Sequence, residues 1–297
     1  MLIFHPPPRF VFTKAKSTSA LEDVIDRLSP KMQRAVRAAA LTAQGRIDLE
    51  ALSRALEQGR ISQAVRELDV DRFTEDDLAE AAKIIGEAHV AGALLGEASI
   101  DSAYRFDITN PKALDAAESQ AADLLTAVNE ATKQTVRDLI ARAYREQIPV
   151  PDTARLIRDV VGLNDRQATA LFNFRAGLVE DGTAPERIAT LAERYGDRLL
   201  RDRAMTIAQT EIHRASATGQ HDLWREGVRA GRINITTARR YWVTNVGACE
   251  WCEGVADLNA DGVPIDGSFV TPDGDFIDGP EDSHPSCRCS SGLEMEE

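Results

Sequence analysis

The amino-acid sequence predicts a mainly α-helical body with a small C-terminal α+β module of short strands and hairpins, closed by a Cys/His cluster with metal-ligand spacing. Three observations carry this reading. From about residue 20 to residue 230 apolar side chains recur at spacings of three and four. Beyond Gly231, β-branched and aromatic residues and Asp-Gly turns take over. All four cysteines lie in that last stretch, in two knots. A chain of 297 residues can bury a sizeable core and divide into two or three domains. Its low aromatic share of 5% and its abundance of Ala, Leu, Arg and Glu favour helix.

Residues 1–19 read as an extended arm, because Pro6-Pro7-Pro8 removes backbone donors and fixes φ. Phe10-Val11-Phe12, Lys14 and Lys16 follow, so the segment suits either an arm on a neighbouring subunit or a free tail. A helix is expected over Thr74 to Ser99, with Thr74 capping, acids at 75–77 complementing the dipole, and Leu78, Ala82, Ile85 and Ala88 on one face. A second begins near Pro111 and carries Leu125, Val128, Thr132, Val136, Leu139 and Ala143 on one stripe until Ile148-Pro149-Val150-Pro151 stops it. A short helix over Asp152 to Val161, a turn at Gly162-Leu163-Asn164 and a helix from Asp165 to about Glu180 come next. After Asp181-Gly182 the helical period runs from Ala184 to Ala230, with Gly196-Asp197 as a candidate break and Gly227 and Gly231 at its end.

In the tail, Ile233, Ile235, Tyr241, Trp242 and Val243 suggest strands, and Phe269 to Ile277 places apolar flanks around a Pro-Asp-Gly turn, a hairpin signature. The domains expected are thus the arm 1–19, a helical domain 20–162, and a C-terminal domain 163–297, itself made of helices over 163–231 and a metal-stabilised β-rich module over 232–297.

The net charge of −13 argues against a general nucleic-acid binder, which needs clustered Lys and Arg to displace phosphate counterions. Most of the excess sits in the tail: residues 253–297 hold twelve acids and one base, Arg288. Such a stretch is either a solvated loop region or a surface for a basic partner or a cation. No apolar run approaches membrane-spanning length, and Pro6-Pro7-Pro8 interrupts any apolar core of a signal peptide, so a cytosolic origin without a membrane partner is expected. Cysteines kept reduced there point to a metal before disulfides.

Cys249-Glu250-Trp251-Cys252 and, about 35 residues on, His284-Pro285-Ser286-Cys287-Arg288-Cys289 supply five candidate metal ligands: Cys249, Cys252, His284, Cys287 and Cys289. A tight pair, a long excursion and a second knot are how tetrahedral zinc sites are assembled, and thiolates with an imidazole suit the borderline softness of Zn²⁺. Four positions leave one candidate over. Either the four cysteines close the site with His284 outside it, or Cys249, Cys252, His284 and Cys287 do and Cys289 is spare. A structural ion fits the segment, whose Asp and Gly content leaves little apolar surface to drive ordering. Catalytic zinc is disfavoured by the lack of H-E-x-x-H or H-x-E.

Other sequence signals are weaker. Asp257-Leu258-Asn259-Ala260-Asp261-Gly262 matches half of a calcium loop, but Ser268 stands where a bidentate Glu belongs, so a plain Asp-Gly turn is expected. His213 and His221 lie eight apart on a helix and, with Glu211, form the best alternative catalytic constellation. P-loop, G-x-S-x-G and G-x-G-x-x-G motifs are missing, and no catalytic residue is assigned.

Four blocks carry a family resemblance. Ala204-Met205-Thr206-Ile207-Ala208-Gln209-Thr210-Glu211 through Ala215 resembles the R-A-x-x-I-A-R-T-E helix of the phage head-morphogenesis family named after the phage Mu F protein. Trp242-Val243-Thr244, then Cys249-x-x-Cys252-Glu253-Gly254, then His284-Pro285-Ser286-Cys287-Arg288-Cys289 follow in the family's order, over about residues 165–290. Gln209 departs from the family's usual Arg. The resemblance implies a low-copy minor head protein of the virion, in the capsid interior or at the portal vertex, assembled in the host cytoplasm. Its partners would be the portal protein or the major capsid protein, with packaged DNA a neighbour by proximity only and an effect on packaging or ejection conceivable. The alternative is a phage-encoded enzyme, a toxin, nuclease or transferase, with a zinc-stabilised C-terminal module.

Overall fold

The computed structural model describes residues 14–60, 73–97, 100 and 111–295. Among them are eight α-helices: α1 Lys14–Gly45, α2 Leu49–Glu57, α3 Glu75–Glu97, α4 Pro111–Arg145, α5 Val150–Val160, α6 Asp165–Glu180, α7 Pro185–Arg229 and α8 Glu250–Leu258. Five short strands, β1 Arg239–Val243, β2 Val263–Pro264, β3 Phe269–Val270, β4 Phe276–Ile277 and β5 Ser290–Glu294, complete the C-terminal module. The chain is thus mainly helical with a small strand and hairpin module at its end.

Local chemistry explains the boundaries. Thr74 Oγ1 accepts from the Asp77 N–H at 3.3 Å while Asp77 accepts from the Thr74 N–H at 3.0 Å, so the start of α3 is a reciprocal cap. Asn164 and Gln167 do the same for α6. The end of α7 is a Schellman motif: Arg232 donates to the Gly227 carbonyl, Gly231 donates to that of Val228, and Gly231 sits at φ +68°. That turn sends Ile233 back against Gly227 and into an apolar cluster with Trp224, Leu223, Ile265 and Leu293. Ile233 and Ile235 therefore precede the sheet and do not build it.

Two helices differ in extent from what the sequence suggests. The arm does not extend to Ser19, since α1 is helical from Lys14, once the prolines are past; residues 1–13 lie outside the described residues. Gly196-Asp197 does not break α7, which runs 45 residues unbroken. Asp197 there pairs with Arg37 and lies 3.6 Å from Arg201 one turn on, which offsets part of the cost of a helical glycine.

The chain divides into two compact units interleaved in sequence, and these do not follow a boundary at 162/163. One unit takes residues 31–82 and 119–206, and its regular elements among the described residues are helices. Leu52, Ile140, Leu156, Ile157, Leu171 and Phe172 are buried in it, the Tyr144 hydroxyl donates to the Leu56 carbonyl at 2.8 Å, and Asn129 bonds both the N–H and carbonyl of Phe73.

The other unit takes residues 1–30, 83–118 and 207–297, and holds the whole β-rich module. Its helical part is built on small residues. A Cβ on Gly92 of α3 would stand 1.8 Å from the Ser216 carbonyl oxygen of α7, and one on Gly219 of α7 would stand 2.0 Å from that of His89. The two backbones touch there, and the Ser216 hydroxyl donates to the Ala88 carbonyl at 3.2 Å. In the module, β1 is the centre of an antiparallel sheet in the order β2-β1-β5, with Arg240 opposite Val263 and Leu293, and β3 and β4 form a separate hairpin pairing Phe269 with Ile277.

Candidate metal centre

The hairpin, the sheet and α8 share one small core, made of Trp242, Val255, Val263, Phe269 and three cysteines, Cys252, Cys287 and Cys289. Trp242 stands edge-on to both Phe269 and Trp251, with centroids at 5.4 and 6.2 Å. The cysteines are thus packed into the wall of a core.

Cys249 is the N-cap of α8, so the C-x-x-C is one helical turn. That turn aims the Cys249 and Cys252 sulfurs at the same point. His284 answers from the other knot: its Nε2 lies 3.4 Å from each of these two sulfurs. The His284 Nδ1 is 3.2 Å from the Pro285 carbonyl, an acceptor only, so Nδ1 carries the proton and Nε2 presents a lone pair. Cys287 Sγ lies 3.9 Å from Cys252 Sγ. The donors fall into two groups, Cys249, Cys252 and His284, and Cys252, Cys287 and Cys289, each within 4.8 Å mutually. Cys252 belongs to both.

All five sequence-derived candidates therefore meet in one place, able to hold a metal ion. His284 is among the donors, not behind them. Four ligands around an ion with legs of ~2.3 Å to sulfur and ~2.0–2.1 Å to nitrogen would lie ~3.8 Å apart for two sulfurs and ~3.5 Å for sulfur and nitrogen. The measured 3.9 and 3.4 Å match that spacing. The contact between the Cys252 and Cys287 sulfurs, at 3.9 Å, pushes the Cys287 pKa down and that of Cys252 up. Cys249 is also lowered, first by the backbone N–H of Cys252.

What fixes the second knot was not legible in the knot itself. Ser286 sits in the left-handed region at φ +58°, and its N–H donates to the Thr210 hydroxyl of α7 at 3.1 Å. His213, one turn on and fully buried, holds the Cys289 carbonyl at 2.8 Å through Nε2. Arg288, between the two cysteines, pairs with Asp26 of α1 at 2.8 Å. Thr210 and His213 thus carry the knot on α7; the signal that could have found them is their place in the 204–215 block.

In the alternative constellation both imidazoles bond backbone carbonyls. His213 is engaged on Cys289, and His221 Nε2 lies 2.9 Å from the Ile265 carbonyl, so each imidazole donates to a different backbone segment. Burial lowers the pKa of both. Glu211, largely buried, has Arg214 at 3.9 Å. The half calcium loop is also committed elsewhere: Asp257 and Leu258 end α8, and the Asn259 side chain bonds Val255 and both backbone groups of Val270. Gly262 at φ +71° makes the expected turn. Comparison of the chain with protein-family models, curated proteins and solved structures finds no match. Among the described residues, no helix is long and apolar enough to cross a membrane.

Proposed function

We propose that this protein is a structural, partner-binding component of a bacteriophage head: a minor head protein of the Mu F-like type, placed in the capsid interior or at the portal vertex after assembly in the host cytoplasm. Its partners are the portal protein or the major capsid protein, and packaged DNA is a neighbour only. The observation that carries this reading is where the four resembling blocks lie. Trp242 and the C-x-x-C share one core with Cys287 and Cys289, and the 204–215 helix holds the closing knot through Thr210 and His213. Blocks that keep their order in sequence and also converge in space behave as one inherited unit.

The metal in this reading is zinc in a structural role, bound by Cys249, Cys252, His284 and Cys287, with Cys289 as the surplus donor. Three thiolates and an imidazole at these spacings suit Zn²⁺. The ion would supply binding free energy on the order of 10 kcal/mol to a module whose apolar core is small.

Mass spectrometry of purified proheads and virions tests the assignment, together with co-purification with a portal protein. Presence in particles at low copy is the expected result. Absence from both particle types, or turnover of a substrate by the metal-loaded chain, overturns it. Elemental analysis is expected to return about one zinc per chain.

A further inference from the structure

A tetrahedral zinc leaves the Cys289 sulfur unused, although it is packed into the same cluster. The five donors fall into two sets of three that share only Cys252. The outer set, Cys249, Cys252 and His284, opens to solvent through Cys249 and His284, both exposed. The inner set, Cys252, Cys287 and Cys289, is all sulfur and lies inside the module, with exposures of 1%, 3% and 2% in that order. Trp242, Val255 and Phe269 belong to the same apolar core. A deprotonated sulfur has lone pairs for more than one ion, so a thiolate that stands in two sets can bridge two ions.

The class of ion follows from the donors. Soft thiolate sulfur selects Cu(I), and a soft monovalent ion is satisfied by a trigonal set, whereas structural Zn²⁺ takes four ligands. One zinc must draw its ligands from both sets; two Cu(I) ions take the sets as they stand. We propose that the centre also binds a pair of Cu(I) ions, one in each set, with the Cys252 thiolate as the bridge and Cys289 as the donor that the second ion requires. The inference rests on the cluster being a metal centre and is independent of the phage assignment. Charge and atoms balance in the exchange. Zinc on the thiolates of Cys249, Cys252 and Cys287 leaves the Cys289 thiol protonated, so two arriving Cu(I) ions release one Zn²⁺ and the Cys289 proton. The exposed donors of the outer set give the ions a way in, and the apolar wall of the inner set shields the second ion from water.

Anaerobic titration of the full zinc-loaded chain with Cu(I), against bicinchoninate as competing ligand, tests it, with X-ray absorption on the product. The wild type is expected to take about two Cu(I) ions, give up its zinc, and show copper–copper scattering from ions bridged by one sulfur. Cys289→Ser is expected to take about one Cu(I), without that scattering, while still holding about one zinc beforehand. Cys249→Ser, at an exposed position, strips the outer set and is likewise expected to take about one, so the result does not hang on a buried substitution. Saturation of the wild type at one Cu(I), two ions without copper–copper scattering, or a variant that still takes two overturns the proposal. A chain that holds zinc but only one copper keeps the metal centre and removes this inference alone, whereas a chain that takes neither ion removes both.

Discussion

The hydroxyl of Thr210, in the middle of α7, accepts the backbone N–H of Ser286 at 3.1 Å, in the turn just before the Cys287-Arg288-Cys289 knot. A side chain on a long helix thus completes the hydrogen bonding of a left-handed turn whose neighbours are candidate metal donors. Thr210→Val keeps the shape and removes the acceptor. The expected loss is about 1–2 kcal/mol of stability and about tenfold in metal affinity, read by thermal unfolding and by competition with a zinc chelator of known affinity.

Cys252 stands in both donor groups, whereas Cys289 stands in one. Cys252→Ser is expected to abolish metal binding and unfold the β-rich module, while Cys289→Ser keeps about one metal per chain. Elemental analysis of the two variants, with near-ultraviolet circular dichroism to follow the Trp242 and Trp251 environment, separates them. Full loss of metal in Cys289→Ser would show that this residue, and not Cys287, closes the site.

Two glycines predict opposite outcomes from the same substitution. Gly219→Ala drives a methyl into the His89 carbonyl and is expected to cost 3 kcal/mol or more, roughly the upper range for overpacking. Gly177 in α6 has open space around it, so Gly177→Ala should stabilise by up to about 1 kcal/mol. Chemical denaturation of both variants measures the difference; equal effects would show that the close approach of α3 and α7 does not govern stability.

His221 gives a pH dependence. Burial, with the Arg240 guanidinium adding to it, lowers its pKa from 6.5 to about 4. The unfolded chain therefore takes up a proton that the folded chain refuses between those values. The stability due to the neutral imidazole is complete above pH 6.5 and lost as pH falls toward 4, by about 3 kcal/mol. His221→Gln keeps a donor for the Ile265 carbonyl and removes the titration. Wild type should lose stability relative to this variant as pH falls from 7 to 4, in denaturation curves recorded pairwise at each pH so that any metal loss affects both alike.

The helical body was legible because its signals are local. Capping at Thr74, the turn at Gly162-Leu163-Asn164, the prolines at 149 and 151, the Gly231 terminus and the stripe on α4 each depend on residues within a turn or two, and the structure places helix ends at these signals. The Phe269 to Ile277 hairpin was legible for the same reason. The sheet was not: β5 begins one residue after Cys289 and pairs with β1 some fifty residues earlier, and a run of Ser290-Ser291-Gly292 carries no strand signal of its own. Short-range pattern also cannot show that α3 and α7 meet at Gly92 and Gly219, so the linear domain boundary missed the interleaved units.

The five metal-binding candidates were fixed by sequence alone, because spacing of Cys and His is itself the chemical information for such a site. Only the folded chain decided that His284 faces Cys249 and Cys252, and that Thr210 and His213 of α7 carry the second knot. Ligand identity is a property of residue type, whereas ligand orientation is set by hydrogen bonds between segments 76 to 262 residues apart, which no local pattern encodes.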